Sequence, residues 1–159
     1  IPAIMLAIAL IALSKASVLI VIVAVTLPEV PRVVRLVRSI VLTIREQPYI
    51  EAATAIGTSV PRIMLRHLLP NALPPLIVQA TYICASAVLI EAALSFLGAG
   101  TPPEVPSWGN IMAEARPYFQ LKPAMVLLPG LFLAVTVLAI NLVGDGLRDM
   151  LDPRLARRM

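Results

Sequence analysis

Charged residues are scarce in this sequence, and their scarcity excludes most classes of soluble protein. Only 14% of the 159 residues are charged, whereas 59% are apolar, and the mean hydropathy is +0.91. A soluble domain is about one quarter charged and about half apolar, so a soluble fold of this chain would expose too much apolar surface. The apolar residues also form long runs, as a bilayer requires of its spanning helices. The composition therefore indicates a membrane protein.

Cysteine and nucleotide-binding motifs are also nearly absent. Cys84 is the only cysteine and lies in an apolar stretch, which excludes a disulfide framework or a cysteine-based zinc cluster and favours a small buried hydrophobe. The sequence has no Gly-x-x-x-x-Gly-Lys-Ser/Thr segment, the loop that cradles ATP phosphates. The net charge of +4 comes from arginines that flank apolar runs, which membrane topology explains without nucleic acid.

Four apolar segments succeed one another along the chain: residues 1–13, 18–37, 74–97 and 123–143. The first is shorter than the roughly 20 residues of a span. Because no Met or basic leader precedes it, we expect a truncated first helix and the C-terminal portion of a longer chain. Residues 14–17 are predicted to form a tight turn. A single span through Lys15 is the alternative, so residues 1–27 form one span or two.

Prolines predict where the other segments bend. Pro28 and Pro31 should kink or end the second helix, and Pro129-Gly130 should kink the fourth. The third segment is long enough to cross a membrane. The predicted fold class is an all-α, polytopic transmembrane helix bundle in which residues 1–159 form one transmembrane domain.

The distribution of arginine predicts the orientation in the membrane. Cytoplasmic loops are rich in Lys and Arg. Residues 38–69 and the C-terminal tail carry most of these residues, so both are placed in the cytoplasm, and the loop of residues 98–122 is placed outside. The cytoplasmic arginines are Arg32, Arg35, Arg38, Arg45, Arg62, Arg66, Arg148, Arg154, Arg157 and Arg158.

The polar stretch of residues 38–69 is predicted to hold two short helices joined at a bend, before Pro70 marks entry into the third span. Pro48 suits a first helical turn, and Glu51 is favoured there by the helix dipole. Gly57 should end the first helix in the left-handed conformation. Ser59 should cap the second helix, and Pro61 fits its first turn. Ala53 and Gly57 are four residues apart, which suggests a small-residue face for close approach by a partner.

The spacing of this stretch resembles the EAA loop of the membrane subunits of bacterial ABC importers. Glu-Ala-Ala, then Gly, then Leu-Pro stand at the family's intervals, with His67 where the general pattern has Ile. The matching residues are Glu51, Ala52, Ala53, Gly57, Leu69 and Pro70.

Further segments resemble the dipeptide/oligopeptide/nickel permease family, and in particular the second of its two permease subunits. They are Arg66–Ala72, Glu91–Gly98, Pro106–Gly109, Asn141–Asp149 and Asp152–Arg154. The resemblance covers nearly the whole chain.

The resemblance implies a membrane-spanning permease that forms half of a pathway for peptides or related small solutes. It is expected in the cytoplasmic (inner) membrane of a bacterium or archaeon. Its implied partners are a second permease subunit, two ATP-binding subunits, an extracytoplasmic solute-binding protein and membrane lipid, with no nucleic acid. The six EAA-loop residues would contact the ATP-binding subunit. This chain would hold no cofactor and would not be an enzyme, because ATP and Mg would bind the partners.

Two other residues are candidates for function. Glu91 lies inside the third apolar segment, where an acid is costly, so it would face the pathway or a subunit interface, or bond a polar group. Trp108 would anchor the outer loop at the headgroups or lie on the side of the binding protein. By contrast, His67 has no metal-ligating neighbours, and lipid headgroups explain the arginines at 32, 35 and 38.

The main alternative is a secondary transporter driven by an ion gradient. Such a protein should show several intramembrane charged residues forming a relay, whereas Glu91 is nearly alone here. A membrane-embedded enzyme would need a clustered catalytic constellation, which the sequence does not provide.

Overall fold

In the computed structural model, which describes residues 3–13 and 17–151, every described element is helical. The helices are α1 (Ala3–Leu13), α2 (Val18–Thr26), α3 (Glu29–Arg45), α4 (Pro48–Ala55), α5 (Val60–Ile63), α6 (Leu69–Phe96), α7 (Trp108–Ala115) and α8 (Ala124–Leu151). A π turn, Met64–Leu68, joins α5 to α6, and a 3-10 turn, Arg116–Tyr118, comes after α7. The all-α prediction is confirmed.

The second apolar segment does not form one kinked span. Helix α2 starts after Ser17, whose side chain accepts a hydrogen bond from the Leu19 amide, and it ends at Thr26, just before Pro28. A proline is expected to end a helix at this point, and it does. The predicted turn of residues 14–17 lies, apart from Ser17, outside the described residues. Helix α1 packs against α2.

Helix α3 is amphipathic and takes the place of the second half of that predicted span. It runs for 17 residues and therefore includes the first part of the stretch that was expected to be a loop. Val33, Val37 and Ile40 are half-buried, whereas Arg35 and Arg38 are exposed, as are Val30 and Val34. Apolar residues at intervals of three and four place one stripe against the protein and leave the arginines on the opposite face.

Two helices among the described residues are long and apolar enough to cross a membrane: Val60–Phe96, which joins α5, the π turn and α6, and Ala124–Met150 within α8. They cover the third and fourth predicted segments except for residue 97 of the third and residue 123 of the fourth. The helix stays continuous across Pro74 and Pro75 in α6 and across Pro129 in α8. Cys84 of α6 is exposed. The prediction of a buried cysteine was wrong because position 84 lies on the exposed side of α6, whereas the neighbouring Ala85 is buried.

The chain divides into two compact units, with boundaries after Val30, Thr81 and Leu142. In the unit that holds α2, α7 and the C-terminal part of α6, Leu94 packs against Val21, Ala24 and Val25. In the unit that holds α4 and α5, the core is formed by Ile50, Ala53 and Ile63.

Candidate functional site

The EAA segment begins with a short helix whose first turn carries an exposed acid. Helix α4 starts at Pro48. Proline suits this position because the amide hydrogen that it lacks would have no acceptor within the helix. Gln47 occupies the N-cap position without a side-chain hydrogen bond, and Glu51 lies in the first turn with its side chain exposed. The N-terminal end of a helix carries partial positive charge, which favours an acidic side chain such as Glu51 in the first turn.

Gly57 ends this segment in the way the sequence predicts. Its φ is +79°, and a side chain at this position would meet no atom of the chain within 4 Å. The Gly57 amide donates to the Thr54 carbonyl at 3.0 Å and the Thr58 amide to the Ala53 carbonyl at 3.0 Å. These two bonds form a Schellman motif, which favours glycine at the left-handed position.

The second short helix begins as expected, but it does not end before Pro70 and continues into the long helix that follows. Ser59 is the N-cap residue with an extended backbone, and Pro61 lies in the first turn. The Ser59 side chain makes no capping hydrogen bond, so that part of the prediction was wrong. Helix α5 continues through the π turn into α6, and Pro70 therefore lies inside a continuous helix of 37 residues instead of at the entry to a new one.

Ala53 has a different environment from the one that the small-face prediction supposed. Only 7% of it is exposed, because it packs against Ile50 and Ile63. Helix α4 ends at Ala55, so Gly57 is not on the same helical face as Ala53. The small side chain of Ala53 thus lets α4 approach α5 within this chain.

The remaining EAA residues lie at the surface. Glu51, Ala52, Gly57, Leu69 and Pro70 are exposed. Around the Gly57 bend, Ile56 is 82% exposed and Val60 69% exposed. A shallow cleft beside them is lined by Arg45, Glu46, Ile50, Glu51, Thr54 and Ala55. Exposed apolar side chains that form a contiguous patch mark surfaces that another protein covers, and Ile56 and Val60 are the candidates for such a contact here.

His67 connects the two ends of this segment. Its ring lies 6.0 Å from the ring of Tyr49, centroid to centroid, with a tilt of 47° between the planes. Tyr49 belongs to the first turn of α4, whereas His67 belongs to the π turn. The residue that departs from the general EAA pattern therefore helps to hold α4 against the start of the long helix.

Glu91 is the centre of a hydrogen-bond network within its own unit. Its Oε1 atom accepts from the Ser95 hydroxyl at 2.7 Å and from the Thr101 hydroxyl at 3.1 Å. The Thr101 amide donates to Ser95 Oγ at 3.1 Å. Glu91 lies five residues before the end of α6, about 7–8 Å along the helix axis. The carboxylate therefore joins the end of α6 to the loop that comes after it.

Asn110 extends this network into α7. Its side-chain amide donates to the Val105 carbonyl at 2.9 Å, the Pro102 carbonyl at 3.0 Å and Thr101 Oγ1 at 3.1 Å. Asn110 is only 8% exposed. Sequence reasoning missed Ser95, Thr101 and Asn110. The only available signal was Ser95, four residues after Glu91 and hence on its helical face.

Two glycines let the loop and α7 approach α6 closely. A Cβ on Gly109 would lie 2.5 Å from the Ala92 carbonyl oxygen and 2.6 Å from the Ser95 Cβ, and one on Gly100 would meet the Ser95 backbone. Real Cβ atoms do not approach backbone atoms at such distances, so only glycine fits these positions. Gly98 ends α6 with a φ of +80°.

Trp108 and Arg116 join α7 and the turn after it to other helices of the same unit. Trp108 is the first residue of α7 and stacks on Phe132 of α8, with 5.7 Å between the ring centroids and 10° between the planes. The Arg116 guanidinium lies 4.5 Å from the Phe96 ring centroid and donates to the Phe96 carbonyl, a group left unpaired at the end of α6. Between residues 3–13 and 17–151, no three His, Cys, Asp or Glu side chains are grouped to hold a metal ion.

Comparison with known proteins gives one family and several relatives. Residues 1–157 match the family model described as "Binding-protein-dependent transport system inner membrane component". A probable peptide ABC transporter permease protein of Sinorhizobium fredii is 54% identical over 158 residues, which are 99% of this chain and 54% of that protein. A dipeptide transport system permease protein of Alkalihalophilus pseudofirmus is 44% identical over 97% of this chain and 51% of its own length. A glutathione transport system permease protein of Escherichia coli is 42% identical over 97% of this chain and 51% of its own length. The chain thus spans about half the length of these relatives.

Proposed function

Since this chain belongs to the family of inner membrane components of binding-protein-dependent transport systems, we propose that it forms part of the permease of an ATP-driven importer and that the EAA segment docks on an ATP-binding subunit. The observation that carries the proposal is the surface around Gly57. From Glu51 to Val60 the chain exposes an acid in the first turn of α4, small residues along the helix and two large apolar side chains beside the hydrogen-bonded bend.

The form of this surface suits docking in a groove. Hydrogen bonds fix the Gly57 bend, and the Ile50, Ala53 and Ile63 core fixes α4 from beneath. A preorganised surface loses little conformational entropy when it binds. Ile56 and Val60 would supply the apolar contact, and Glu51 would set the orientation through its charge.

The transported solutes and the remaining partners are inferred from the relatives. Their names refer to peptides, dipeptides and glutathione, so we assign peptides or related small solutes to this transporter. Half of the pathway would be lined by this permease, and the other half by a second permease subunit. A solute-binding protein would deliver the solute from the side of Trp108, and ATP and Mg would bind the two ATP-binding subunits.

Cross-linking from two adjacent alanines tests the docking. In an assembled transporter with Cys84→Ala, Ala52→Cys should cross-link to the ATP-binding subunit, because residue 52 is exposed. Ala53→Cys is the matched control and should not, because residue 53 is buried within the chain. No cross-link from position 52, or equal cross-linking from both, would count against docking by this surface.

Charge reversal tests whether docking couples ATP hydrolysis to transport. Glu51→Lys should leave the permease in the membrane at near-normal level while reducing uptake and the stimulation of ATPase activity by solute. Glu104→Lys is a control for charge reversal at an exposed glutamate in the loop before α7. Unchanged uptake and stimulation in Glu51→Lys would show that this carboxylate has no part in coupling.

A further inference from the structure

The π turn between α5 and α6 is the one departure from α-helical winding in the described helix Val60–Phe96. It covers Met64–Leu68, and the Leu69 amide donates to the Met64 carbonyl, five residues back. Such a turn contains one residue more than an α-helical turn, and it occurs mostly as a single widened turn at a functional position.

Pro70 explains why the helix widens here. In an α-helix its ring would press on the carbonyl of Arg66, four residues earlier, and it has no amide hydrogen to donate to that carbonyl. Widening the turn just before a proline separates these groups, as in other helices that are disturbed at proline. Asn71 supports the arrangement, since its side-chain amide donates to the His67 carbonyl at 2.7 Å.

The widened turn carries the contacts that hold the EAA segment. His67 faces the ring of Tyr49, and Leu68 packs on the core of Ile50, Ala53 and Ile63. The extra residue sets the angle about the axis of α6 at which α4, the Gly57 bend and α5 lie. With one residue too many in a regular helix, that angle would change by about 100°.

We propose that Pro70 and the π turn set the rotational position of the EAA segment relative to α6, so that movement of the docked segment is passed to the long helix. Pro70 is therefore a positioning residue for coupling, in addition to any contact of its own with a partner. This inference rests on the docking of the EAA segment on an ATP-binding subunit. It assigns a separate task to the turn, because the docking surface itself lies before Met64.

Two changes at the turn test the proposal in the assembled transporter. Pro70→Ala permits a regular helix but leaves the extra residue, so the EAA segment should rotate by about 100° relative to α6. Uptake should then fall by about tenfold, the scale of a typical coupling energy between sites. Deleting Leu65 in addition removes the extra residue, and its side chain is 68% exposed and so contributes little packing. The double variant should recover most of the uptake, since its regular helix restores the original rotation.

Recovery of uptake on deletion of Leu65 would distinguish a positioning role from general damage to the fold. Two unrelated damaging changes would lower uptake further when combined. Pro74→Ala, one turn further along α6, is the control and should keep normal uptake. Uptake that is normal in Pro70→Ala, or no better in the double variant than in Pro70→Ala, overturns the proposal. Absence of both variants from the membrane also counts against it, because the restored helix should insert normally.

The cross-link from Ala52→Cys distinguishes this proposal from the docking on which it depends. If the turn acts by positioning the EAA segment, the cysteine of Ala52→Cys should still cross-link to the ATP-binding subunit when Pro70→Ala is also present, although uptake is reduced. If Ala52→Cys fails to cross-link even with Pro70 in place, the docking itself is wrong. If cross-linking and uptake both persist in Pro70→Ala, docking stands and the role of the turn is refuted.

Discussion

Gly144 of α8 lies directly against Thr81 of α6: a Cβ placed on the glycine would come within 2.9 Å of the Thr81 Cβ. The Thr81 hydroxyl donates to the Val78 carbonyl at 2.8 Å, which holds the threonine side chain in this orientation. Small residues allow membrane helices to approach each other closely. The absent side chain at position 144 thus permits the contact of two long apolar helices.

Gly144→Ala should therefore lower the melting temperature of the detergent-purified transporter, through overpacking that costs about 1–3 kcal/mol. Gly146→Ala is the matched control, because no atom lies within 4 Å of a Cβ at Gly146. The control should melt at the same temperature or slightly higher, since alanine favours helix more than glycine does. Equal melting temperatures for the two variants would contradict a tight contact at Thr81.

Gly57→Val should leave the permease at near-normal level in the membrane but abolish uptake and solute-stimulated ATPase activity. A β-branched residue resists a φ of +79°, and the strain is about 1–3 kcal/mol. The space around Gly57 is open within the chain, so the lesion concerns the shape of the docking surface. Gly57→Asn should retain more activity, because asparagine tolerates the left-handed conformation. Normal uptake and stimulation in Gly57→Val would refute a coupling role for the bend.

Glu91 can be tested by comparing two replacements. Glu91→Ala removes the acceptor of the Ser95 and Thr101 hydroxyls and should lower the melting temperature, since an unpaired polar group costs about 1–3 kcal/mol. Glu91→Gln keeps an oxygen that can accept both bonds, so stability and uptake should stay close to normal. Loss of uptake in Glu91→Gln at an unchanged melting temperature would show instead that the charge itself serves transport.

Orientation in the membrane can be tested with single cysteines in a Cys84→Ala background. Because Lys and Arg collect on the cytoplasmic side, an impermeant thiol reagent should label Ser59→Cys only from the cytoplasmic side and Glu104→Cys only from outside. Both positions are exposed on this chain. Labelling in the opposite pattern would overturn the topology predicted from arginine.

The sequence was most informative where structure depends on neighbouring residues. The Gly57 bend and the start of α5, with Pro61 in its first turn, depend on residues within one turn, so turn and cap chemistry predicted them. The continuation of α3 beyond Val37, to Arg45, was missed because the arginines there resemble those of a polar loop, although the apolar residues recur at helical intervals. The π turn was also missed, since a proline such as Pro70 more often marks the start of a helix than a position inside one.

Contacts between distant residues could not be predicted in this way. Thr101 and Asn110 join Glu91 from ten and nineteen positions along the chain, and no local pattern pairs them with it. The burial of Ala53 depends on Ile63, beyond the bend. The helical wheel that placed Ala53 and Gly57 on one face assumed that the helix continued through Gly57.

The uninterrupted run from Val60 to Phe96 has a mechanical consequence. At 1.5 Å per residue its 37 residues extend about 55 Å, whereas the hydrocarbon core of a bilayer is about 30 Å thick. About 25 Å of the helix, between four and five turns, therefore extends beyond the hydrocarbon core when the helix lies along the membrane normal. The helix can therefore keep the residues near Val60 in water while the rest of it crosses the lipid.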